Sequence, residues 1–345
     1  MPATSLTETQ VNSILFHYPS LAGEIDALRP MPQGMFNENV RFSSAGRAYV
    51  LKKLAAGRSE QRHLYGGAMQ RVLAESGVPC PEMIVNQDGG VVTRCDGGVW
   101  SVQAWSEGHH LASAERNGEG AIPAKASVGS TLGRIHAVAL EAVADGRLQR
   151  APRDARLPVA EMLAGVEAVH RNLRHGPVLR PAPLTRLRFK PRKTPTQRLA
   201  LSLAPLLEQG CRRLAEWNID AHPHLQHIGP CHGDINWENL LFDGGQLVAI
   251  LDFDNAMEMS QDYDTAAAAV ILCGGDPAHL EAFLTAYEQA SGRELDPEAL
   301  PALMLLKCVR SLLWQIEVAI SGGTGDDEAV LRWMDYLARA VARLS

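Results

Sequence analysis

The chain has no hydrophobic run long enough to span a bilayer. Its longest, AAAAVILC from Ala266 to Cys273, is far too short, so no membrane helix is expected. The N-terminus, MPATSLTETQ, lacks a basic stretch followed by an apolar one, so no secretory signal is expected. Six cysteines are present but no C-x-x-C pair, which points to reduced thiols in a cytoplasm rather than to a disulfide framework. Excess positive charge is also missing. The net charge is −6, against a general nucleic-acid binder. No internal repeat occurs. What is present is size and apolar content: 345 residues, 46% hydrophobic, enough for two domains or one large one.

One stretch lacks acids altogether. From Val169 to Leu207 there is no Asp or Glu, while nine Arg or Lys fall between Arg171 and Arg198. Five prolines from Pro177 to Pro195 break any long helix there, so the segment reads as an extended basic insertion on an acidic protein.

The first hundred residues are strand-rich. Residues 5 to 30 have helical-looking apolar spacing. GMFNENVRFSSAGRAYVLKKL then reads as two strands around a Ser/Gly turn. SEQRHLYGGAMQRVLAESG reads as a helix with Ser59 as N-cap and Gly77 as stop. MIVNQDGGVVTRCDGGVWSVQAW reads as three short strands separated by two Asp-Gly-Gly turns. Beyond Gly108 the spacing becomes helical, as in ASVGSTLGRIHAVALEAVA and nearly everything after residue 260. A β-rich N-terminal part thus joins a helical C-terminal part near QAWSEGHH.

The chemistry concentrates in CHGDINWENLLF, Cys231 to Phe242. NLLF reads as a strand, Asp243 to Gly245 as a tight turn and QLVAIL as a fully apolar second strand. The open ends of this hairpin carry HGDINWEN and DFDNA, so Asp234, Asn239, Asp252 and Asp254 should converge at its mouth. Acids at the end of a buried apolar strand need a cation or a substrate proton, because unpaired buried charge is costly. One Asp accepting a hydroxyl proton while an Asn and another Asp hold Mg²⁺ are the parts that phosphoryl transfer requires.

H-G-D-x-x-x-x-N followed by an apolar strand and D-F resembles the aminoglycoside phosphotransferase, choline kinase and type II homoserine kinase group. The resemblance implies an α+β, bilobal, protein-kinase-like fold. The N-lobe would run over 1–105 and bind nucleotide. The mainly helical C-lobe, 106–345, would carry the catalytic hairpin, the acceptor pocket and the basic insertion near 169–207. Asp234 would be the catalytic base, Asn239 and Asp252 the Mg²⁺ ligands, and His232 and Asp264 structural supports. Lys52 in YVLKK sits where the group's lysine meets the nucleotide phosphates; Lys53 is its rival, since a one-residue slip flips the face. SVQAWSEGHHL resembles the hinge, with backbone groups of Gln103, Ala104 and Trp105 meeting the base, although Trp105 also reads as a core residue. ESGVPCPEMI and VGSTLGRIHAVA, with Gly133 and His136, match further segments.

Two departures stand out. PQGMFNENV lacks G-x-G-x-x-G and offers Gly34, with Asn37 and Asn39 as polar contacts. The helix that should supply a Glu to Lys52 offers none. The spacing back from GVP lands near Gly66, Glu60 lies about a turn and a half too early, and Gln70 is neutral. Either the helix is shifted or Lys52 has no acidic partner, and Asp254 reads as a loop acid near the metal. HPHLQHIGPCH, with His222, His224, His227, Cys231 and His232, suggests zinc, but the familiar ligand spacings are absent.

The implied reaction uses ATP or GTP with Mg²⁺ and a small-molecule hydroxyl acceptor, without nucleic acid or membrane. The insertion favours an antibiotic or natural product as acceptor, of self-resistance type. FLTAYEQASG resembles the homoserine kinase branch and favours a metabolic kinase of homoserine, amino-sugar or choline type. A nucleotide-binding pseudokinase is the reading from another class.

Overall fold

A computed structural model describes residues 6–21, 25–31, 37–164, 192–219, 222–321 and 328–345. Most of the basic insertion, and Gly34 with the start of PQGMFNENV, lie outside the described residues. The chain folds as two compact units. One comprises Met1–Arg156, Gly229–Glu258 and Thr285–Gly292; the other comprises Leu157–Ile228, Met259–Leu284 and Arg293–Ser345.

The first unit is built on a six-stranded antiparallel sheet. Strands β1 (Ile25–Met31), β2 (Glu38–Ser44), β3 (Arg47–Lys53), β6 (Gly98–Ala104) and β4 (Met83–Ile84) lie in that order, and β5 (Thr93–Cys95) pairs with β6. Ala45 and Gly46, both at positive φ, turn β2 into β3, as left-handed residues do in tight hairpins. Phe42, Leu51, Trp100 and Val102 on this sheet pack against Val11, Ile14 and Tyr18 from helix α1 (Glu8–Leu15) and the turn after it. Helix α2 (Glu60–Glu75) starts at Ser59, whose hydroxyl accepts from Arg62 N, and Gly77 follows its end at positive φ.

Two expectations are corrected here. Ile25–Met31 is a strand, not helix. Its apolar residues fall every third position because the pairing of β1 with β2 shifts register between Asp26 and Arg29, which breaks the alternation. The first Asp-Gly-Gly turn does not join paired strands. β4 pairs with β6, and Asn86 organises the intervening loop by accepting from Asp88 N and Gly90 N at 3.0 and 2.9 Å.

After β7 (Ile228–Cys231), strands β8 (Leu240–Asp243) and β9 (Gln246–Ile250) form the expected hairpin, with Gly244 and Gly245 at positive φ in its turn. β9 is not wholly buried: Val248 points outward, 37% exposed. Helix α3 (Ile122–Ala144) packs against β9, and His136 Nδ1 lies 2.9 Å from the Tyr287 hydroxyl.

The second unit is helical. Within it, α4 (Pro195–Ser202), α5 (Ala204–Glu216), α6 (Gln261–Cys273) and α8 (Glu328–Leu344) pack around α7 (Leu300–Ser321), burying Leu207, Leu214, Leu312 and Leu337. The C-terminal end of the basic stretch is therefore helical rather than extended. Pro195 takes the first position of α4, where its missing N–H costs nothing, and Thr194 and Gln197 close a capping box. No helix among the described residues is long and apolar enough to cross a membrane.

Candidate active site

The His-Gly-Asp loop precedes β8 and the Asp-Phe-Asp-Asn loop follows β9, and the two meet within the first unit. Gly233 makes the meeting possible. It stands at φ 81°, and a Cβ there would lie 2.5 Å from the Asn255 carbonyl oxygen. His232 is fully buried and uses both ring nitrogens. Nε2 donates to Leu251 O at 3.0 Å, and Nδ1 accepts from Asp234 N at 3.2 Å. The first bond requires Nε2 to carry the proton, which fixes the neutral tautomer. His232 thus ties the start of one loop to the end of the other strand.

The Asp234 carboxylate is held by neutral donors. Oδ1 accepts from Asn236 Nδ2 at 3.0 Å, and Oδ2 from Asn255 Nδ2 at 3.1 Å and, more weakly, Asn239 Nδ2 at 3.4 Å. Amide donors orient the carboxylate without cancelling its charge. Asn239 donates more strongly to the Asp234 carbonyl, at 2.9 Å. That orientation leaves its Oδ1 with no donor among the described residues. Asn239 also receives Leu251 N on its own carbonyl at 2.8 Å, which sets it beside the end of β9 where Asp252 begins.

Asp252 has left-handed backbone angles, φ 62° and ψ 72°. That is uncommon for a residue with a side chain and a frequent mark of functional positions. Its Oδ1 accepts from Lys52 Nζ at 2.8 Å, and its side chain is 43% exposed. Asp254 also lies 2.8 Å from Lys52 Nζ, but its side chain is only 10% exposed. Lys52 therefore has two acidic partners, and neither comes from α2. Burial alone would lower the Lys52 pKa; Asp254 and Asp252 outweigh it and hold the ammonium above its ordinary value. Burial alone would raise Asp254; the hydrogen bond from His63 and the charge on Lys52 hold it far below the carboxylate range.

Lys53 does not share these partners. Its ammonium faces Glu38 at 3.8 Å and the Trp100 ring at 5.0 Å. The hinge expectation is narrowed. The Ala104 N–H donates to Glu82 O and the Trp105 N–H to Ala48 O, at 2.8 and 2.9 Å, so neither is free for a nucleotide base. The Gln103 side chain accepts from Gln70 Nε2 at 3.1 Å. Trp105 carries the Arg41 guanidinium over its ring at 4.0 Å. Asn37 donates to Asp254 and accepts from Ala55 N. Asn39, opposite Lys52 in the β2–β3 ladder, has a buried Oδ1 without a donor among the described residues.

Sequence reasoning missed His63, Asn236 and Asn255. His63 precedes Gly66 by three residues, one turn back on the same face of α2, so it was findable in principle once that face was known to meet the site. The five suggested zinc residues do not form one cluster; among them, His224 and His227 come together with Asp262, with ligand atoms within 4.8 Å of one another. His232 belongs to the His-Gly-Asp loop, and Cys231 Sγ lies 3.4 Å from Gly229 O. In the second unit, His224 and His227 each bring Nδ1 to Asp262 Oδ2 at 2.8 Å, and Arg293 pairs with Asp262 Oδ1 at 2.6 Å.

Residues 27–302, well over half of the chain, match the model of the phosphotransferase enzyme family. The chain belongs to this family. It is a small-molecule kinase, a phosphotransferase with an alcohol group as acceptor. Homoserine kinase of Pseudomonas aeruginosa is 27% identical over 330 residues, covering 94% of this chain and 90% of that protein. An aminoglycoside phosphotransferase from Alicyclobacillus acidocaldarius superposes with a TM-score of 0.63 at 15% identity, over 96% of this chain and 94% of that one. A spectinomycin phosphotransferase solved with ADP and spectinomycin gives 0.63 at 11%, over 99% of both chains. A microcompartment-associated aminopropanol kinase gives 0.60 at 19%, over 97% and 96%. The kinase's fold is accordingly the protein-kinase-like α+β fold, with an antiparallel sheet in its N-terminal region and a helical C-terminal part.

Proposed function

We propose that this kinase transfers the γ-phosphoryl group of a nucleoside triphosphate, ATP or GTP, to a hydroxyl of a small molecule, with Asp234 as the base and Mg²⁺ as the metal. The supporting observation is the convergence of Lys52, Asp234, Asn239 and Asp252 on two hydrogen-bonded loops of one unit. The donor set suits Mg²⁺. Asn239 Oδ1 and Asp252 Oδ2 are hard oxygens without protein donors among the described residues, and they come from adjacent loop ends. Bound between them, the ion would supply charge neutralisation to the β- and γ-phosphates.

The protein's own residues do the remainder. Lys52 meets phosphate oxygens with a fixed positive charge. Asp234 accepts the hydroxyl proton, and its three asparagines keep the carboxylate aimed during the transfer. Phosphoryl transfer passes through a loose transition state, so positioning and electrostatics carry the catalysis. The lobe boundary near Trp105 is kept as a functional division, with Asn37 and Asn39 as further polar contacts on the nucleotide side. Six free thiols agree with a cytoplasmic location.

For the acceptor, a homoserine-type amino alcohol is favoured by the P. aeruginosa homoserine kinase, which is similar along nearly the whole chain. An antibiotic or natural product is the second reading, favoured by the acid-free basic stretch from Val169 to Leu207. A basic wall would repel a polycationic aminoglycoside, so the acceptor there would be neutral or carry carboxylate or phosphate. The convergence of Asp234, Asn239 and Asp252, and the acidic partners of Lys52, support turnover over the pseudokinase reading.

The test uses γ-labelled ATP and GTP with Mg²⁺ against separate pools: homoserine and amino alcohols, choline and amino sugars, aminoglycosides, and other antibiotics. Label entering the amino-alcohol pool with wild type and not with Asp234→Ala is the expected result. Label in an antibiotic pool alone reverses the order of the two acceptor readings. Nucleotide binding without labelling of any pool leaves the pseudokinase.

A further inference from the structure

Helix α2 reaches the site without a glutamate. It presents His63, Gly66 and Gln70 along one face, and none of these can pair with an ammonium as an acid would. The charge that Lys52 requires is instead two residues beyond Asp252.

We propose that Asp254, seated by His63 of α2, is the positioning acid that holds Lys52 toward the nucleotide phosphates, in place of a helix glutamate. This rests on the phosphoryl-transfer reading above.

Each oxygen of Asp254 is assigned. Oδ1 lies 3.1 Å from His63 Nδ1. Oδ2 lies 2.8 Å from Lys52 Nζ and also receives Asn37 Nδ2. An ionised carboxylate only accepts, so His63 Nδ1 carries the proton. The other ring nitrogen, Nε2, faces Ser101 Oγ on β6 at 3.2 Å. Asp254 is therefore gripped from β3, from α2 and from the residue leading into β2. His63 is in turn braced by the sheet.

The two acids around Lys52 have different freedom. Asp252 is 43% exposed and keeps one oxygen for a cation, whereas Asp254 is 10% exposed and has both oxygens engaged by protein. A cation at Asp252 withdraws carboxylate charge from Lys52. Asp254 then keeps the ammonium in place. The same contacts couple α2 to the lysine, since moving the helix moves His63 and with it Asp254.

Equilibrium binding of Mg·AMP-PNP and steady-state kinetics, with melting temperatures as the folding control, test this. Asp254→Asn removes the charge at constant shape and is expected to weaken nucleotide binding roughly tenfold or more, in the range of a lost charge-assisted bond. His63→Phe keeps an aromatic ring but no donor and is expected to weaken binding several-fold, while His63→Asn, whose amide can replace Nδ1–H, recovers most of it. In the Lys52→Met background, Asp254→Asn should add nothing, because its target is gone. Independent, multiplying effects of Lys52→Met and Asp254→Asn overturn the proposal, as does wild-type affinity in Asp254→Asn. If Asp254→Asn does not fold, the His63 pair decides: equal loss in His63→Phe and His63→Asn overturns it. A wild type that binds nucleotide but transfers no label contradicts the phosphoryl-transfer reading, and the binding cycle still decides this one.

Discussion

Gly66 of α2 lies directly against the Phe253 carbonyl. A Cβ on Gly66 would sit 3.1 Å from the Phe253 carbonyl carbon and closer still to its oxygen. The missing side chain, which weakens α2 as a helix, is what lets the helix seat on the loop that carries Asp252 and Asp254. In an open helix, Gly→Ala stabilises by about 1 kcal/mol. Here the sign reverses. Gly66→Ala is expected to lower stability by about 1–3 kcal/mol through overpacking against backbone, and to weaken nucleotide binding as α2 shifts. Thermal melts and nucleotide titration check both.

Asn255 is expected to matter for turnover rather than for nucleotide binding. Its Nδ2 donates to the Asp234 carboxylate at 3.1 Å. Asn255→Ala should reduce kcat roughly tenfold with little change in the nucleotide KM, as loss of one orienting hydrogen bond does. Asn255→Asp, which sets a second negative charge against Asp234, should reduce it further. Wild-type kcat in Asn255→Ala would show that orientation of Asp234 does not depend on this donor.

Much of the site was legible in the sequence because it is local. The Asp-Gly-Gly turn and the flanking apolar runs define the β8–β9 hairpin, and a hairpin must bring Asn239 and Asp252 together. Lys52 was separable from Lys53 only by the face of β3, which alternation suggests and register decides. The acidic partner of Lys52 was not legible. Asp254 is 202 residues away in sequence, and the acid was expected on the helix, where α2 carries His63 and Gly66 instead. Strand β1 was misread because a register shift gives Ile25, Leu28 and Met31 a helix-like spacing. The donation of the Ala104 and Trp105 N–H groups to Glu82 and Ala48 is a tertiary fact that no local pattern carries.

Stability should fall at alkaline pH, and in part through the thiols. Burial pushes Cys80, Cys211 and Cys308 each up to about 12 in the folded protein. Unfolded thiols ionise near about 8.5. A pKa raised by folding contributes stability that is fully present below the unfolded value and is lost as pH rises toward the folded value. Between pH 8 and 10, Tm should therefore decline less steeply in Cys211→Ala than in wild type. Parallel curves would contradict this.

Arg293 is expected to be a stability residue of the second unit. It pairs at 2.6 Å with Asp262, which is 1% exposed at the start of α6 and also holds His224 and His227. Arg293→Met leaves that buried carboxylate short of its strongest partner and should cost about 3–5 kcal/mol. Arg293→Met combined with Asp262→Asn should recover part of the loss. Denaturant titration of both variants measures it.

The most direct test of the site as a whole is transfer of γ-label from ATP to homoserine in the presence of Mg²⁺, with wild type and Asp234→Asn at saturating nucleotide. Wild type is expected to form the labelled phosphate ester, and Asp234→Asn to lose roughly a hundred- to ten-thousand-fold in kcat, the range for removal of a general base, while binding nucleotide nearly as well as wild type. Equal kcat in the two proteins would remove Asp234 from the reaction and contradict the account.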